Sequence, residues 1–332
     1  MSYAAIQHLL YEGFDLEFGT KSHVGHLVGI VLPGGCNLSC PYCAIAQRRE
    51  RGLPIRLTAE HFMYFANSLK ESDDRLLGLA IVGDEPCRDT TWSTYTLPIL
   101  KHLDSIEIPS GMVTNGTLLA DKIPDLVNTN IVSLAVSIDG HQEYHDSIRG
   151  EGSFAASMTG LRAATTSLRP EQCMIASVLQ PKRIHVLTPL IDVIAELGIT
   201  EWVLSPLIRF NPELPMERRV ADASSLLHEL SVLSDTAEKK GVRVSIDDEF
   251  RVFGNDYAML DALNVQVLRR DLAVDLVRLT YDGSLQVNHD ILEPISDTTM
   301  KWDVTKDPAE MIITIAAGQL DQYQKQQSKK VA

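Results

Sequence analysis

The sequence is poor in cysteine, in basic charge and in long apolar runs, and each shortage excludes a class of protein. Its 332 residues include five cysteines, too few for the disulfide framework of a secreted protein. The formal net charge of −14 disfavours contact with nucleic-acid phosphates. The chain has no apolar run long enough to span a membrane and does not begin with the pattern of a signal peptide. We therefore expect a soluble cytoplasmic protein that binds neither nucleic acid nor membranes.

What the sequence does contain is a regular alternation of short apolar runs and longer helical patterns between about residues 25 and 250. The apolar runs are rich in Val, Ile and Leu, as expected for strands covered on both faces. Repeated strand–helix units wound in one direction form a parallel sheet that can close, or nearly close, into a barrel. We expect strands at residues 26–33, 76–83, 110–116, 132–139, 172–180, 201–208 and 242–250, and helices at 58–72, 154–168, 184–197 and 217–240.

The fold class expected from this pattern is α/β, as a partial (β/α)6 TIM-like barrel of parallel strands with a C-terminal extension. The predicted domains are an N-terminal extension at 1–24, a core barrel at 25–250 and an extension at 251–332. Within the last, residues 277–292 are typical of a β-hairpin that turns at Asp282-Gly283, because glycine adopts the positive φ such turns require. Parallel strands end at one edge of a sheet, so we expect the chemistry there.

Three of the five cysteines lie within eight residues, in the stretch CNLSCPYC at 36–43. This stretch follows the first predicted strand after Gly34-Gly35, a pair that permits a tight backbone turn. A structural zinc site needs four ligands, commonly in paired C-x-x-C units, and the chain has only one such unit. A [4Fe–4S] cluster held by three thiolates instead leaves one iron open to an outside ligand. The expected metal ligands are Cys36, Cys40 and Cys43.

The spacing C-x3-C-x2-C, with the aromatic Tyr42 before the last cysteine, resembles the signature of the radical S-adenosylmethionine (radical SAM) enzymes. The segment GDEP at 83–86 resembles the family's GGEP motif, whose glycines and backbone oxygens hold the methionine amino group of SAM. Asp84 departs from that motif, and it either makes an altered substrate contact or faces solvent. The segment VSIDG at 136–140 is similar to family segments that contact the ribose and the methionine carboxylate. The resemblance covers about residues 25 to 210.

Contacts to SAM are implied by this resemblance at the ends of several predicted strands. Four residues with an implied SAM contact also have ordinary structural alternatives. These are Asn115 in an Asn-Gly turn, Arg149 in a helix-terminal salt bridge, Ser177 inside a strand and Leu204 before a strand-ending proline. The full expected set of cofactor-binding residues is Tyr42, Gly83, Asp84, Glu85, Pro86, Asn115, Ser137, Asp139, Arg149, Ser177 and Leu204.

The resemblance also implies the reaction. SAM binds the open iron, an external one-electron donor such as flavodoxin or ferredoxin reduces the cluster, and a 5′-deoxyadenosyl radical removes a hydrogen atom from a small-molecule substrate. Relatives with auxiliary clusters carry a cysteine-rich extension, whereas no cysteine follows Cys173 in this sequence. This favours reactions without net oxidation, namely epimerisation, elimination or decarboxylation. Cys87, beside GDEP, is expected either to donate a hydrogen atom to the product radical or to be a small buried hydrophobe.

The substrate expected from the resemblance is a sugar or sugar nucleoside of antibiotic-type biosynthesis. The sequence resembles carbohydrate-modifying members of the family that lack auxiliary clusters, such as cytosylglucuronate decarboxylase. Arg209 suits a carboxylate or phosphate, whereas the acidic run at 247–249 suits hydroxyls or an amine, or is a solvated face. A peptide epimerase or maturase and a non-catalytic iron–sulfur or zinc scaffold are the alternatives. The expected substrate contacts are Arg88, Arg209, Asp247 and Glu249.

Overall fold

The strands of the molecule form one ten-stranded sheet. The computed structural model describes residues 25–43, 55–72, 76–180, 183–207, 223–247, 258–263, 265–267, 274–283 and 285–287. The strands are β1 (Gly25–Leu32), β2 (Leu76–Gly83), β3 (Ser110–Thr114), β4 (Ile131–Ser137), β5 (Cys173–Leu179), β6 (Glu201–Pro206), β7 (Arg243–Ile246), β8 (Gln266–Val267), β9 (Val274–Thr280) and β10 (Leu285–Val287). Their order across the sheet is β10-β9-β1-β2-β3-β4-β5-β6-β7-β8.

Helices occupy most of the connections between these strands. They are α1 (Ala59–Ser72), α2 (Asp89–Thr91), α3 (Leu97–Ser105), α4 (Ile123–Leu126), α5 (Gln142–Arg149), α6 (Ser153–Ser167), α7 (Ile184–Leu187), α8 (Leu190–Glu196), α9 (Ala223–Glu238) and α10 (Ala258–Ala262). A π-helical segment, Trp92–Thr96, joins α2 to α3. In the part of the chain that the structure describes, no helix is both long and apolar enough to cross a membrane.

All strands from β1 to β9 run parallel to their neighbours, and β10 runs antiparallel to β9. Among the described strands, β8 and β10 are the two edges and do not pair with each other, so the sheet is open. The prediction of a partial barrel of parallel strands is therefore confirmed. The hairpin is confirmed as well: β9 and β10 flank the predicted turn, where Gly283 has a φ of +84°.

The two faces of the sheet differ in side-chain size. One face carries large residues such as Ile30, Ile81 and Leu134, which are fully buried in the hydrophobic core that the helices cover. The other face carries small residues in register across its first strands, with Gly29 beside Ala80 and Ala80 beside Gly111. A closed TIM barrel fills its interior with large branched side chains. These small residues therefore leave room for a ligand on this face of the sheet.

Most predicted elements are present, with differences at their ends. The helix expected at 184–197 is divided into α7 and α8 at Pro189, because proline has no N–H to donate and clashes with the preceding helical turn. Of the helix expected at 217–240, α9 is described and residues 217–222 lie outside the described residues. The short helices α3 and α5 were not predicted. The domain limits stay a prediction, since residues 1–24 lie outside the described residues.

One buried carboxylate, at the amino end of β6, predicts an effect of pH on the free energy of unfolding. Glu201, the first residue of β6, is 1% exposed, and burial raises its pKa to about 7 against the opposing charge of Arg243. The folded-state pKa lies above the ordinary value of 4.5, so the folded protein binds the proton of Glu201 more tightly than the unfolded chain does. The stability that this proton contributes is fully present below pH 4.5 and is lost as pH rises through about 7. We expect Glu201→Gln to remove this loss and to stabilise the protein at pH 8 by up to about 3 kcal/mol.

Urea unfolding at pH 5 and pH 8 tests this prediction. Glu60→Gln, at an exposed position of α1, is the matched control. We expect it to leave the free energy of unfolding unchanged at both pH values. An equal pH dependence in the wild type and in Glu201→Gln would contradict the prediction.

Candidate functional site

The three clustered cysteines lie on the loop after β1, at the carboxyl edge of the sheet. All three are free and half-buried. The backbone N–H of Cys43 donates to the carbonyl of Cys40 at 3.1 Å, which closes a tight turn. Burial raises the pKa of the Cys40 thiol to about 11, with Arg149 opposing and the nearby Cys43 and Cys36 adding to the rise. The Cys40 thiol therefore keeps its proton at neutral pH unless a metal displaces it.

The entrance to this loop is held by residues that follow β2. The Asp84 carboxylate, 6% exposed, accepts the N–H of Gly35 at 3.0 Å, and the N–H of Glu85 donates to the Gly35 carbonyl at 3.2 Å. The guanidinium of Arg88 donates to the carbonyl of Gly34. Asp84 thus does not face solvent, which corrects one of its two expected roles. Its carboxylate joins GDEP to the cysteine loop.

Gly34 is required at this entrance for two reasons. Its φ is +125°, a value that residues with a side chain rarely adopt. A Cβ atom at this position would also lie 2.1 Å from the hydroxyl oxygen of the buried Thr91. The loop therefore packs directly on the start of the helical segment after GDEP.

Glu85 connects the ends of β2 and β3. Its Oε1 accepts the N–H of Cys87 at 2.9 Å and the hydroxyl of Thr114 at 2.6 Å, and its Oε2 accepts the N–H of Asn115 at 2.7 Å. Burial raises the pKa of this carboxyl, while the three hydrogen bonds oppose the rise. The neighbouring glycine of the motif, Gly83, has a φ of +111°. The Glu85 side chain is thus fully engaged within the protein.

Asp139 connects the cysteine loop, α5 and β5. Its Oδ2 accepts hydrogen bonds from the hydroxyl of Tyr42 and from Nε of Arg149, the latter at 2.6 Å, and its Oδ1 accepts the N–H of Val178 at 2.9 Å. Burial alone would raise the pKa of Asp139, but the charge of Arg149 and these hydrogen bonds outweigh burial and lower it. The helix-terminal salt bridge considered for Arg149 is therefore present. Its partner is Asp139 itself.

Asn115 lies beside the first cysteine. Its Nδ2 lies 3.5 Å from Sγ of Cys36 and 2.9 Å from Oδ1 of Asn37. Its Oδ1 accepts both the N–H and the hydroxyl of Thr117. Asn37 and Thr117 were missed in the sequence. The available signal was that both are polar residues adjoining recognised motifs, one inside the cysteine loop and one directly after the Asn-Gly turn.

Three other expected SAM contacts lie in or directly after the strands. Ser137 is half-buried at the end of β4. The hydroxyl of Ser177 donates to the carbonyl of Ile138 and accepts the indole N–H of Trp202 at 2.9 Å. Leu204 is fully buried in β6. The contacts of Ser177 favour its structural alternative.

Pro86 and Cys87 complete the segment after β2. Pro86 is buried, and its carbonyl accepts the hydroxyl of Thr96 at 2.8 Å. Cys87 is 0% exposed within the hydrophobic core, and burial raises the pKa of its thiol well above the ordinary value. This position favours the small buried hydrophobe over a hydrogen donor. The hydrogen-donor role of Cys87 stays a prediction.

The expected substrate contacts are only partly described. Arg88 binds Gly34 at the loop entrance, as given above. Asp247 is half-buried at the end of β7, where its N–H donates to the carbonyl of Leu204 at 2.8 Å. Arg209 and Glu249 lie outside the described residues.

Comparisons with known proteins agree with this architecture. The chain is 26% identical over 133 residues to the radical SAM cyclopropyl synthase TigE of Paramaledivibacter caminithermalis, which covers 36% of this chain and 28% of TigE. The chain thus spans less than a third of this curated relative. Streptococcus suis SuiB bound to S-adenosylmethionine has a TM-score of 0.62 at 14% identity, covering 87% of this chain and 68% of SuiB.

A second solved structure, anSMEcpe with bound AdoMet and Cp18Cys peptide, has a TM-score of 0.56 at 16% identity. It covers 86% of this chain and 81% of anSMEcpe. At these identities the two structural likenesses concern the fold. The sequence itself matches the Radical SAM superfamily over residues 30–183, from β1 through β5. The chain therefore carries a radical SAM superfamily domain.

Proposed function

We propose that the chain is an enzyme that reductively cleaves SAM at a [4Fe–4S] cluster and uses the 5′-deoxyadenosyl radical to remove a hydrogen atom from its substrate. One observation carries the proposal. Three half-buried thiols lie on one loop at the sheet edge where GDEP and VSIDG end their strands. A scaffold protein would not need these motifs at that edge.

The family implies a [4Fe–4S] cluster and SAM, and the donor set of the site fits a cluster. Cys36, Cys40 and Cys43 would hold it, and when bound it supplies the electron that cleaves SAM. Two N–H groups, from Leu38 and Asn115, lie 3.4 and 3.5 Å from Sγ of Cys36, as suits a thiolate ligand. Among the described residues, no three His, Cys, Asp or Glu side chains converge on a single metal ion. Cluster thiolates have no need to converge in this way, because each binds its own iron.

The protein's own contribution is to position SAM and substrate and to exclude water, since a primary radical reacts with its nearest neighbour. SAM would lie between GDEP and VSIDG, and the substrate would lie against the sheet face that carries the small residues. That face is small at Gly111, Ala135 and Ala176, and Val113 near the end of β3 is 37% exposed. The exposed Val113 side chain indicates open space above the carboxyl end of β3.

We propose a small polar metabolite, such as a sugar or sugar nucleoside, as the substrate. The reaction would be a decarboxylation, elimination or epimerisation, because residues 174–332 contain no cysteine to hold an auxiliary cluster. A peptide is the second candidate, and the peptide bound in anSMEcpe favours it. A flavodoxin-like or ferredoxin-like electron donor and a cytoplasmic location remain predictions.

The test is anaerobic reconstitution with iron and sulfide, followed by reduction in the presence of SAM and a panel of sugar nucleosides and peptides. Mass spectrometry measures 5′-deoxyadenosine. We expect deoxyadenosine to rise with sugar-type compounds, and deuterium transfer to locate the abstracted hydrogen. A rise only with peptides would select the second candidate. A fully loaded, reducible cluster that never cleaves SAM would refute the proposal.

The departure of GDEP from the family motif gives a prediction of its own. Asp84→Ala is expected to release the N–H of Gly35, because the Asp84 carboxylate accepts it at 3.0 Å. The loop entrance then loosens, and we expect reconstituted iron to fall at least about twofold, which corresponds to roughly 0.4 kcal/mol of the about 1 to 3 kcal/mol that an unsatisfied buried donor costs. Asp84→Asn keeps an acceptor oxygen and is expected to lose less.

Iron and sulfide analysis after identical reconstitution measures this effect. Asp121→Ala, at an exposed position of the 3-10 turn before α4, is the matched control. Equal iron in Asp84→Ala and in this control would show that the carboxylate does not hold the loop.

A further inference from the structure

We propose that Asn115 is a positioning residue for the iron–sulfur cluster, acting through a hydrogen bond from its side-chain amide to the Cys36 sulfur. This assignment rests on the proposed function, because it requires the cluster to be held by Cys36. It differs from the role that the family resemblance implies, in which Asn115 contacts SAM. As a positioning residue, the Asn115 amide donates to Cys36. As a SAM contact, it would need a hydrogen bond left free for SAM.

The orientation of the amide follows from its partners. The backbone N–H of Thr117 can only donate, and it lies 2.9 Å from one terminal atom of the Asn115 side chain. That atom must be the oxygen. The nitrogen therefore faces the other way, toward Sγ of Cys36 at 3.5 Å and Oδ1 of Asn37 at 2.9 Å.

This arrangement uses the whole hydrogen-bonding capacity of the amide. An Asn side chain has two N–H groups and one oxygen with two lone pairs. The two N–H groups point at Cys36 and Asn37, and the oxygen accepts the N–H and the hydroxyl of Thr117. The Asn37 amide also donates to the Thr117 hydroxyl at 2.8 Å, which closes the network. The side-chain amide of Asn115 therefore has no further hydrogen bond left with which to bind SAM.

The backbone of Asn115 is fixed as firmly as its side chain. Its N–H donates to Oε2 of Glu85 at 2.7 Å, and its carbonyl accepts the hydroxyl of Ser157 on α6 at 2.7 Å. Gly116, directly after it, has a φ of +81°, and a Cβ there would lie 2.7 Å from a methyl of Val136. Two separate elements, the GDEP loop and α6, thus hold the donor in place, and the turn after it tolerates only glycine.

A fixed N–H beside a cluster thiolate has a defined electrostatic effect. The reduced cluster carries one more negative charge than the oxidised cluster, so a donor to a ligand sulfur stabilises the reduced form more. Loss of the donor should lower the reduction potential. The backbone N–H of Leu38 also reaches Cys36, but it belongs to the loop itself. Asn115 adds a donor from the turn after β3, whose backbone is held by Glu85 and Ser157 outside the loop.

The decisive variant is Asn115→Asp. Its carboxylate keeps an oxygen to accept the Thr117 N–H, but it places an acceptor where the amide donated to Cys36. Asn115→Ala removes both contacts. Asn128→Asp is the matched control, since the exposed Asn128 donates its amide to the carbonyl of Pro124, away from the cysteine loop.

The measurement is an EPR-monitored redox titration of the reconstituted protein without SAM, with iron content, circular dichroism and SAM affinity determined in parallel. We expect a lower potential in Asn115→Asp and Asn115→Ala, with the larger shift in Asn115→Asp, and no shift in Asn128→Asp. SAM affinity should stay unchanged. Loss of iron from a folded Asn115→Asp protein would also support the proposal, because Cys36 would then fail as a ligand without its donor.

An unchanged potential at full iron content would overturn the proposal and leave the proposed function intact. Weaker SAM binding at an unchanged potential would overturn it in favour of a direct SAM contact. A wild-type protein that assembles no cluster would overturn both.

Discussion

Alanine in place of Cys36, Cys40 or Cys43 is expected to abolish deoxyadenosine formation in each single variant. Three thiolates hold three irons, and the chain offers no fourth cysteine on this loop to replace a lost one. The other cysteines cannot substitute, because Cys87 is 0% and Cys173 is 1% exposed in the core. We expect loss of the cluster absorbance and iron content together with loss of SAM cleavage, measured after identical anaerobic reconstitution.

Cys87→Ala and Cys173→Ala are the matched controls. Each removes a thiol without touching the loop, so both should retain cluster and SAM cleavage. Turnover in any loop variant would contradict the cluster assignment. A Cys87→Ala protein that cleaves SAM but gives no product would restore the hydrogen-donor role that the buried position of Cys87 disfavours.

The sheet could be predicted from the sequence because its strands are continuous apolar runs. The run at 76–83 matches β2 at both ends. The run expected at 110–116 ends early, at Thr114, because Asn115 and Gly116 form the turn after β3. Helix α5 was missed because its eight residues, QEYHDSIR, are mostly polar and too short for a clear apolar stripe. Local pattern thus finds long apolar elements and misses short ones, such as the polar α5 and the nine-residue α3.

The site was predictable only where its signal is local. The cysteine spacing lies within eight residues and was visible in the sequence. The contact of Tyr42 with Asp139 joins residues 97 apart, and that of Asp84 with Gly35 joins residues 49 apart. No sequence pattern encodes such pairs, since they depend on which strands become neighbours. The sequence therefore identified the motif residues. It did not predict that several of them, such as Tyr42 and Asp139, would bind one another.

Asp139→Ala is expected to destabilise the protein by about 3 to 5 kcal/mol, the usual cost of removing one partner of a buried ion pair. Asp139 is 0% exposed, and the side chain of Arg149 is 9% exposed. The substitution leaves that guanidinium buried without its carboxylate, and it also removes the acceptor of the Tyr42 hydroxyl and the Val178 N–H. Urea unfolding of the cluster-free protein at pH 7 measures the change.

Lowering the pH should reduce the difference in the free energy of unfolding between the wild type and the Asp139 variants. The pKa of Asp139 is lowered by folding, so its contribution is present above the ordinary value of 3.8 and is lost as pH falls through the lower folded value. The gap between the wild type and Asp139→Asn should therefore be constant from pH 7 to about pH 4 and narrow below it. Tyr42→Phe, which removes one hydrogen bond and keeps the ion pair, should cost only about 1 kcal/mol.

The matched control is Asp192→Ala, which breaks an ion pair to Lys240 of similar length, 3.0 Å, whose side chains are 67% and 54% exposed. An exposed pair of this kind contributes at most about 1 kcal/mol. If Asp139→Ala cost no more than this control, the buried pair would not couple the cysteine loop to α5. The Asp139 carboxylate would then be available for the ribose contact that the family resemblance implies. A large cost confined to Asp139→Ala would instead mean that SAM must bind beside a carboxylate already committed to Arg149 and Tyr42, with at most one acceptor site, on Oδ1, left for a hydroxyl of SAM.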